Sequence, residues 1–90
     1  IDGWIINGHI LIYGNGLIEI PWPSILYVIP ILKNGYIRPI YAGNDFLAFQ
    51  RLIPLKIRLY IRQILQQLGE LVARKGYKGI MGADILYNPR

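Results

Sequence analysis

The stretch Pro54-Leu55-Lys56-Ile57-Arg58-Leu59-Tyr60-Ile61-Arg62-Gln63-Ile64-Leu65-Gln66-Gln67-Leu68-Gly69-Glu70-Leu71-Val72-Ala73-Arg74-Lys75-Gly76 decides the fold, together with the Tyr77-Lys78-Gly79-Ile80-Met81-Gly82-Ala83-Asp84-Ile85-Leu86-Tyr87 that follows it. Ile57, Ile61, Ile64, Leu65, Leu68 and Val72 recur at three- and four-residue spacing, which predicts one amphipathic helix over about 55–75. Pro54 suits its first turn, where a missing N–H costs little. Arg74 and Lys75 complement the negative end of the helix dipole, and Gly76 reads as the C-cap. Gly69 inside the helix costs roughly 1 kcal/mol against alanine, which a close crossing over a strand would justify. After Gly76 come a glycine-punctuated turn and a short apolar run around a single carboxylate, Asp84. A buried carboxylate is costly unless it is paired, hydrogen-bonded or bound to a metal, and flanking glycines let backbone or ligand approach closely.

Upstream, the pattern is that of strands. Trp4–Tyr13 is rich in β-branched and aromatic residues, and Asn7-Gly8 is a candidate tight hairpin turn within it. Asn15-Gly16 marks a second turn, between Ile10–Tyr13 and Leu17–Ile20. Pro21-Trp22-Pro23 breaks regular pairing. Ile25–Ile29 reads as a strand stopped by Pro30, and Asn34-Gly35 turns the chain toward Tyr36–Tyr41. Ala42-Gly43-Asn44-Asp45 reads as a loop, and Phe46–Ile53 as a short helix or an irregular linker. The resulting fold class is α+β: a mainly antiparallel sheet with one long helix packed on one face.

Ninety residues allow at most one small domain, here residues 1–90, and hydrophobic residues at 53% exclude a disordered segment. Charged residues make up only 17%, which implies a thinly charged or partly covered surface. A piece of a longer chain and a small isoleucine-rich domain account for this equally well; the start at Ile1, without methionine, favours the piece. The absence of cysteine excludes disulfides, thiol catalysis and cysteine-bound zinc. Ten Lys and Arg against five Asp and Glu give a net charge of +5, which favours anionic partners. No signal peptide is visible, and the most apolar stretch, Pro21–Leu32, is short and holds three prolines; no membrane partner is expected, and a cytoplasmic location is.

Two places resemble the ATP-grasp family. Leu68-Gly69-Glu70-Leu71-Val72-Ala73-Arg74-Lys75-Gly76-Tyr77-Lys78-Gly79 leading into Gly82-Ala83-Asp84-Ile85-Leu86 is similar to that family's helix, "lgy-x-G" turn and "G-v-D-f/l" strand. Ile1-Asp2-Gly3 looks like the end of its "E-x-y-i-x-G" hinge. The resemblance implies most of the second subdomain of a fold that clamps ATP between two α+β subdomains and activates a carboxylate as an acyl phosphate, for attack by an amine or another nucleophile. Asp84 would then match the first magnesium-binding carboxylate, and Ile1 and Asp2 would lie in the hinge whose backbone hydrogen-bonds adenine. The implied cofactors are ATP and Mg2+, and the implied partners are a small-molecule carboxylate substrate and the remainder of the same chain, with an oligomer left open. Three features depart from the family's pattern. Ile5 stands where many members have a ribose-binding glutamate. The second metal motif, "E-x-N", would fall beyond Arg90. Asn88-Pro89-Arg90 resembles the family's "N-P-R" ending without the preceding glutamate, and ordinary turn chemistry reads Asn88-Pro89 as a hairpin turn. The phosphate loop of the first subdomain is absent, so this segment alone is not expected to be active.

Each candidate has a plainer reading. Asp84 could instead pair with Lys78 or another base. His9, the only histidine, reads as a turn or strand-face residue, and Ser24, the only serine, as loop. Trp4, Trp22, Tyr13, Tyr27, Tyr36 and Tyr41 would stack on bases if displayed beside cations, but pack the core and its rim in the favoured reading. Arg58, Arg62 and Arg74 form an ordinary solvated helix face more readily than a phosphate site. The alternative function is a small basic nucleic-acid-binding or structural interaction module. It ranks second because no recognisable nucleic-acid motif is present.

Overall fold

The computed structural model describes residues 3–89; Ile1, Asp2 and Arg90 lie outside them. The chain runs β1 (Trp4–Ile12), β2 (Ile18–Glu19), β3 (Ser24–Lys33), β4 (Tyr36–Asp45), α1 (Phe46–Leu52), α2 (Leu55–Arg74) and β5 (Gly79–Tyr87). All strand pairings are antiparallel. β1 is central: β5 lies along its whole length on one side. On the other side β3 pairs with Ile5–Asn7 and β2 with Leu11–Ile12, separated by the Pro21-Trp22-Pro23 break. The α+β layout, with a long helix against one face of an antiparallel sheet, matches the sequence expectation.

Alternation along β1 assigns its two faces. Ile6, Gly8, Ile10 and Ile12 are buried under the helices, whereas Ile5, Asn7, His9 and Leu11 face the other way. The core joins Ile6, Ile10, Ile12 and Ile25 of the sheet to Ala48, Phe49, Ile53, Ile61 and Leu65 of the helical layer. Each large side chain removed from water contributes about 1.5–3 kcal/mol, so this one-sided core carries most of the stability.

Asn7-Gly8 is not a turn. A Cβ on Gly8 would lie 2.8 Å from Leu65 Cδ1, so the glycine is where α2 presses onto β1. Asn7 faces outward into a hydrogen-bonded row. Both residue types are explained by packing, and the strand continues through them. Asn15-Gly16 does turn the chain, with the Gly16 N–H donating to the Tyr13 carbonyl at 2.9 Å. Pro30 does not end β3, and Ala42–Asp45 is not a loop: β3 and β4 form a ten-residue-per-strand hairpin in which Pro30 opposes Pro39. One register shift between Tyr27 and Val28 leaves Ala42 as the extra residue, the signature of a β-bulge. Phe46–Ile53 resolves into a short helix because Asp45 caps it, its carboxylate accepting from the Ala48 N–H at 2.9 Å.

α2 ends one residue before the expected limit. Lys75 is its C-cap, and Gly76, at φ +90°, is the left-handed residue just beyond. Gly69 is buried where α2 crosses the sheet, and a Cβ there would meet Ile10 Cγ2 at 2.9 Å and Ile18 Cγ2 at 3.1 Å. The expected close crossing is therefore present.

Candidate functional site on the open sheet face

The sheet face turned away from the helices collects the polar side chains. Asp84 on β5 lies directly opposite Asn7 on β1, which lies opposite Ser24 on β3. Asn7 Nδ2 donates to Asp84 Oδ1 at 2.8 Å. Asn44 Nδ2 donates to Asn7 Oδ1 at 3.2 Å and to Ser24 Oγ at 2.8 Å, and the Tyr41 hydroxyl donates to Asn44 Oδ1. One hydrogen-bonded row thus crosses four strands, from the β5 edge to β4. Ser24, 1% exposed, is the one buried polar residue in it, and its side chain is satisfied by Asn44. The sequence reading of Ser24 as loop and Ala42–Asp45 as loop hid this row; the signal that could have found it is the set of outward positions Asn7, Asn44 and Asp84 in a chain otherwise apolar.

Asp84 is exposed, so its place in a strand needs no charge compensation by burial. The suggested pairing with Lys78 does not form, because Lys78 Nζ donates to the Gly14 carbonyl at 2.9 Å. The Asp84 carboxylate is held by one oxygen, leaving Oδ2 without a hydrogen-bond partner among the described residues. Gly82, two residues earlier on the same face, leaves open space beside it: the nearest neighbour of a Cβ there is the Gly8 carbonyl at 4.0 Å. His9 opposes Gly82 and is exposed on this face, a diagonal neighbour of Asp84. It is a strand-face residue.

The donor set limits which metal sites this face could hold. No cluster of three or more His, Asp or Glu side chains occurs among the described residues, so an all-protein metal cage is not present among them. Magnesium asks for less: one or two carboxylates, with waters and substrate phosphates completing the octahedron. An anchored, exposed carboxylate beside a glycine fits one such ligand. Ile1 and Asp2, assigned to the adenine hinge by resemblance, fall outside the described residues.

The remaining candidates are engaged elsewhere. Arg58 Nε donates to the Ile53 carbonyl at 3.0 Å, tying the α1–α2 corner. The Arg62 guanidinium lies 5.0 Å from the Trp22 ring centroid, a cation–π contact at the rim. Trp4 packs against the core, but Tyr13, Tyr36 and Tyr41 stand exposed, contrary to the expectation that the aromatics fill core and rim. The Tyr13 hydroxyl donates to Glu19 at 2.8 Å; that hydrogen bond, and then the Glu19 charge, hold the phenol above its usual 10.0. No helix among the described residues is long and apolar enough to cross a membrane. Comparison with models of known families, with curated proteins and with solved structures gives no match for this chain.

Proposed function

We propose that this chain is the ATP- and magnesium-binding second subdomain of an ATP-grasp ligase, which activates a carboxylate as an acyl phosphate for attack by an amine or another nucleophile. The observation that carries the reading is the placement of Asp84: an exposed carboxylate on the helix-free face, anchored through one oxygen by Asn7, with open space beside Gly82. The helix, glycine turn and Asp84 strand follow in the order of the family's pattern. The outer edge of β5 has no partner strand among the described residues, which leaves room there for the strand with the second metal motif in a longer protein. When bound, magnesium would neutralise phosphate charge during phosphoryl transfer. This chain's own part is to fix one carboxylate oxygen and present the other, through the Asn7–Asn44–Ser24 row.

Calorimetric titration of ATP, with and without magnesium, into the protein in its full coding length tests the reading, with Asp84→Asn beside wild type. Magnesium-dependent binding that the variant loses is the expected result. A wild type that binds no nucleotide overturns the function. Equal magnesium dependence in both proteins overturns the role of Asp84.

A further inference from the structure

The β3–β4 hairpin extends past the sheet body as an arm. The chain measures 48 × 31 × 21 Å with a radius of gyration of 15.1 Å, against about 12 Å for a compact domain of this length. None of the arm residues from Val28 to Tyr41 belongs to the core. Register and alternation sort them into two faces. Val28, Pro30, Leu32, Ile37, Pro39 and Tyr41 share the face that continues the open side of the sheet, and it holds no charge. Both arm cations, Lys33 and Arg38, lie on the opposite face, with Ile29, Ile31, Tyr36 and Ile40.

We propose that the uncharged arm face is the contact between two copies of this chain. Three observations select a second copy. The first is edge chemistry. Asn34 (φ +52°) and Gly35 (φ +81°) form a two-residue turn, which makes Lys33–Tyr36 a hydrogen-bonded pair and, by alternation, Pro30–Pro39 a non-hydrogen-bonded one. Both prolines therefore sit where a backbone N–H would point outward. The ladder loses nothing, but each outer edge lacks a donor that an added strand would need. A partner must meet the arm by its face. The second is symmetry. Leu32 and Ile37 lie two residues to one side of the proline pair, and Val28 and Tyr41 two residues to the other. A two-fold axis through the prolines sets Leu32–Ile37 of one copy on Val28–Tyr41 of the other, as an isologous contact requires. The third is area and charge. Leu32 is 73%, Ile37 74% and Tyr41 64% exposed, and a groove of about 570 Å³ runs between Val28, Pro30, Ile37 and Pro39. At about 200 Å² for a fully exposed large side chain, the face displays on the order of 600 Å². Two copies would bury about 1,200 Å², the lower end of specific interfaces, and one face alone, at about 600 Å², stands at the upper end of what a monomer ordinarily leaves bare. Copies that each carry +5 repel, so the face on which they meet must be the uncharged one.

Sedimentation velocity of the 90-residue chain across a concentration series tests this, with Ile37→Asp and Tyr36→Asp beside wild type. Wild type and Tyr36→Asp, altered on the charged face, form a dimer. Ile37→Asp weakens association by at least about tenfold. Should Ile37→Asp fail to fold by circular dichroism, a shortened arm in which Asn-Gly replaces residues 30–39 takes its place and is monomeric. The proposal is overturned by a wild type monomeric up to its solubility limit, which would leave the face to a different partner, or by equal weakening in Tyr36→Asp. Nucleotide binding plays no part in these outcomes, so failure here and failure of the ligase reading are separable.

Discussion

Gly69 shows how one residue type records two opposed demands. Alanine there would gain roughly 1 kcal/mol of helix propensity. Its Cβ would also come within 2.9 Å of Ile10 Cγ2, a β-branched, fully buried group that cannot swing aside. Overpacking a tight core costs about 1–3 kcal/mol, so Gly69→Ala should lose about 1 kcal/mol net in urea unfolding. Asn44 sits at a second such point, donating to both Ser24 and Asn7. Asn44→Leu should cost about 1–3 kcal/mol by leaving the buried Ser24 hydroxyl unpaired, and adding Ser24→Ala should recover part of that loss, because removing both partners is cheaper than removing one. Tyr13 supplies a pH test. Its neutral phenol is the form the fold favours through Glu19, so the contribution is full below the unfolded value of 10.0 and is lost as pH rises through the higher folded value. An ultraviolet titration should place Tyr13 above 10.0 in wild type, and Glu19→Gln should move it back down.

At the scale of elements, boundaries follow local chemistry more closely than hydrophobic pattern. Asp45 ends β4 and opens α1 in one step, its side chain accepting from the Ala48 N–H. Asp45→Ala should destabilise the fold by about 0.5–2 kcal/mol, with Asp45→Asn close to wild type, as thermal denaturation would report. The long helix was legible because Ile57, Ile61, Leu65, Leu68 and Val72 repeat at helical spacing over about four turns, and its end because Gly76 takes a positive φ. Two turn signals of the same type had opposite fates. Asn34-Gly35 turns the chain, whereas Asn7-Gly8 lies inside β1 because α2 needs the glycine under Leu65 and the polar row needs the asparagine. Nothing local to residues 7 and 8 distinguishes these cases; the deciding atoms, on Leu65, Asn44 and Asp84, lie far along the chain. Pro30 misled for a similar reason. A proline breaks a strand only where its missing N–H would have pointed at the partner, and Pro30 points outward. Of the candidate site, Asp84 on its strand was legible, but its anchoring by Asn7 depends on long-range register that single-sequence pattern does not contain.

For the whole molecule, the one-sided core and the extended arm make two regions of different stability. The buried residues of the core all lie within β1, the first part of β3, the two helices and the Ile53 corner between them, while the arm from Val28 to Tyr41 adds none. Deleting the arm beyond Ile29 and Ile40 keeps a hydrogen-bonded pair at the base, so an Asn-Gly turn in place of residues 30–39 preserves the register of what remains. The shortened chain should keep its near-ultraviolet circular dichroism and unfold within about 1 kcal/mol of wild type at low concentration, because surface changes away from the core fall near that range. The two proteins should then part as concentration rises. Association stabilises the species that associates by mass action, so the wild-type melting temperature should climb with concentration while that of the shortened chain stays flat. A loss well above 2 kcal/mol at low concentration would mean that the arm supports the sheet body; parallel flat lines would mean that it meets no second copy.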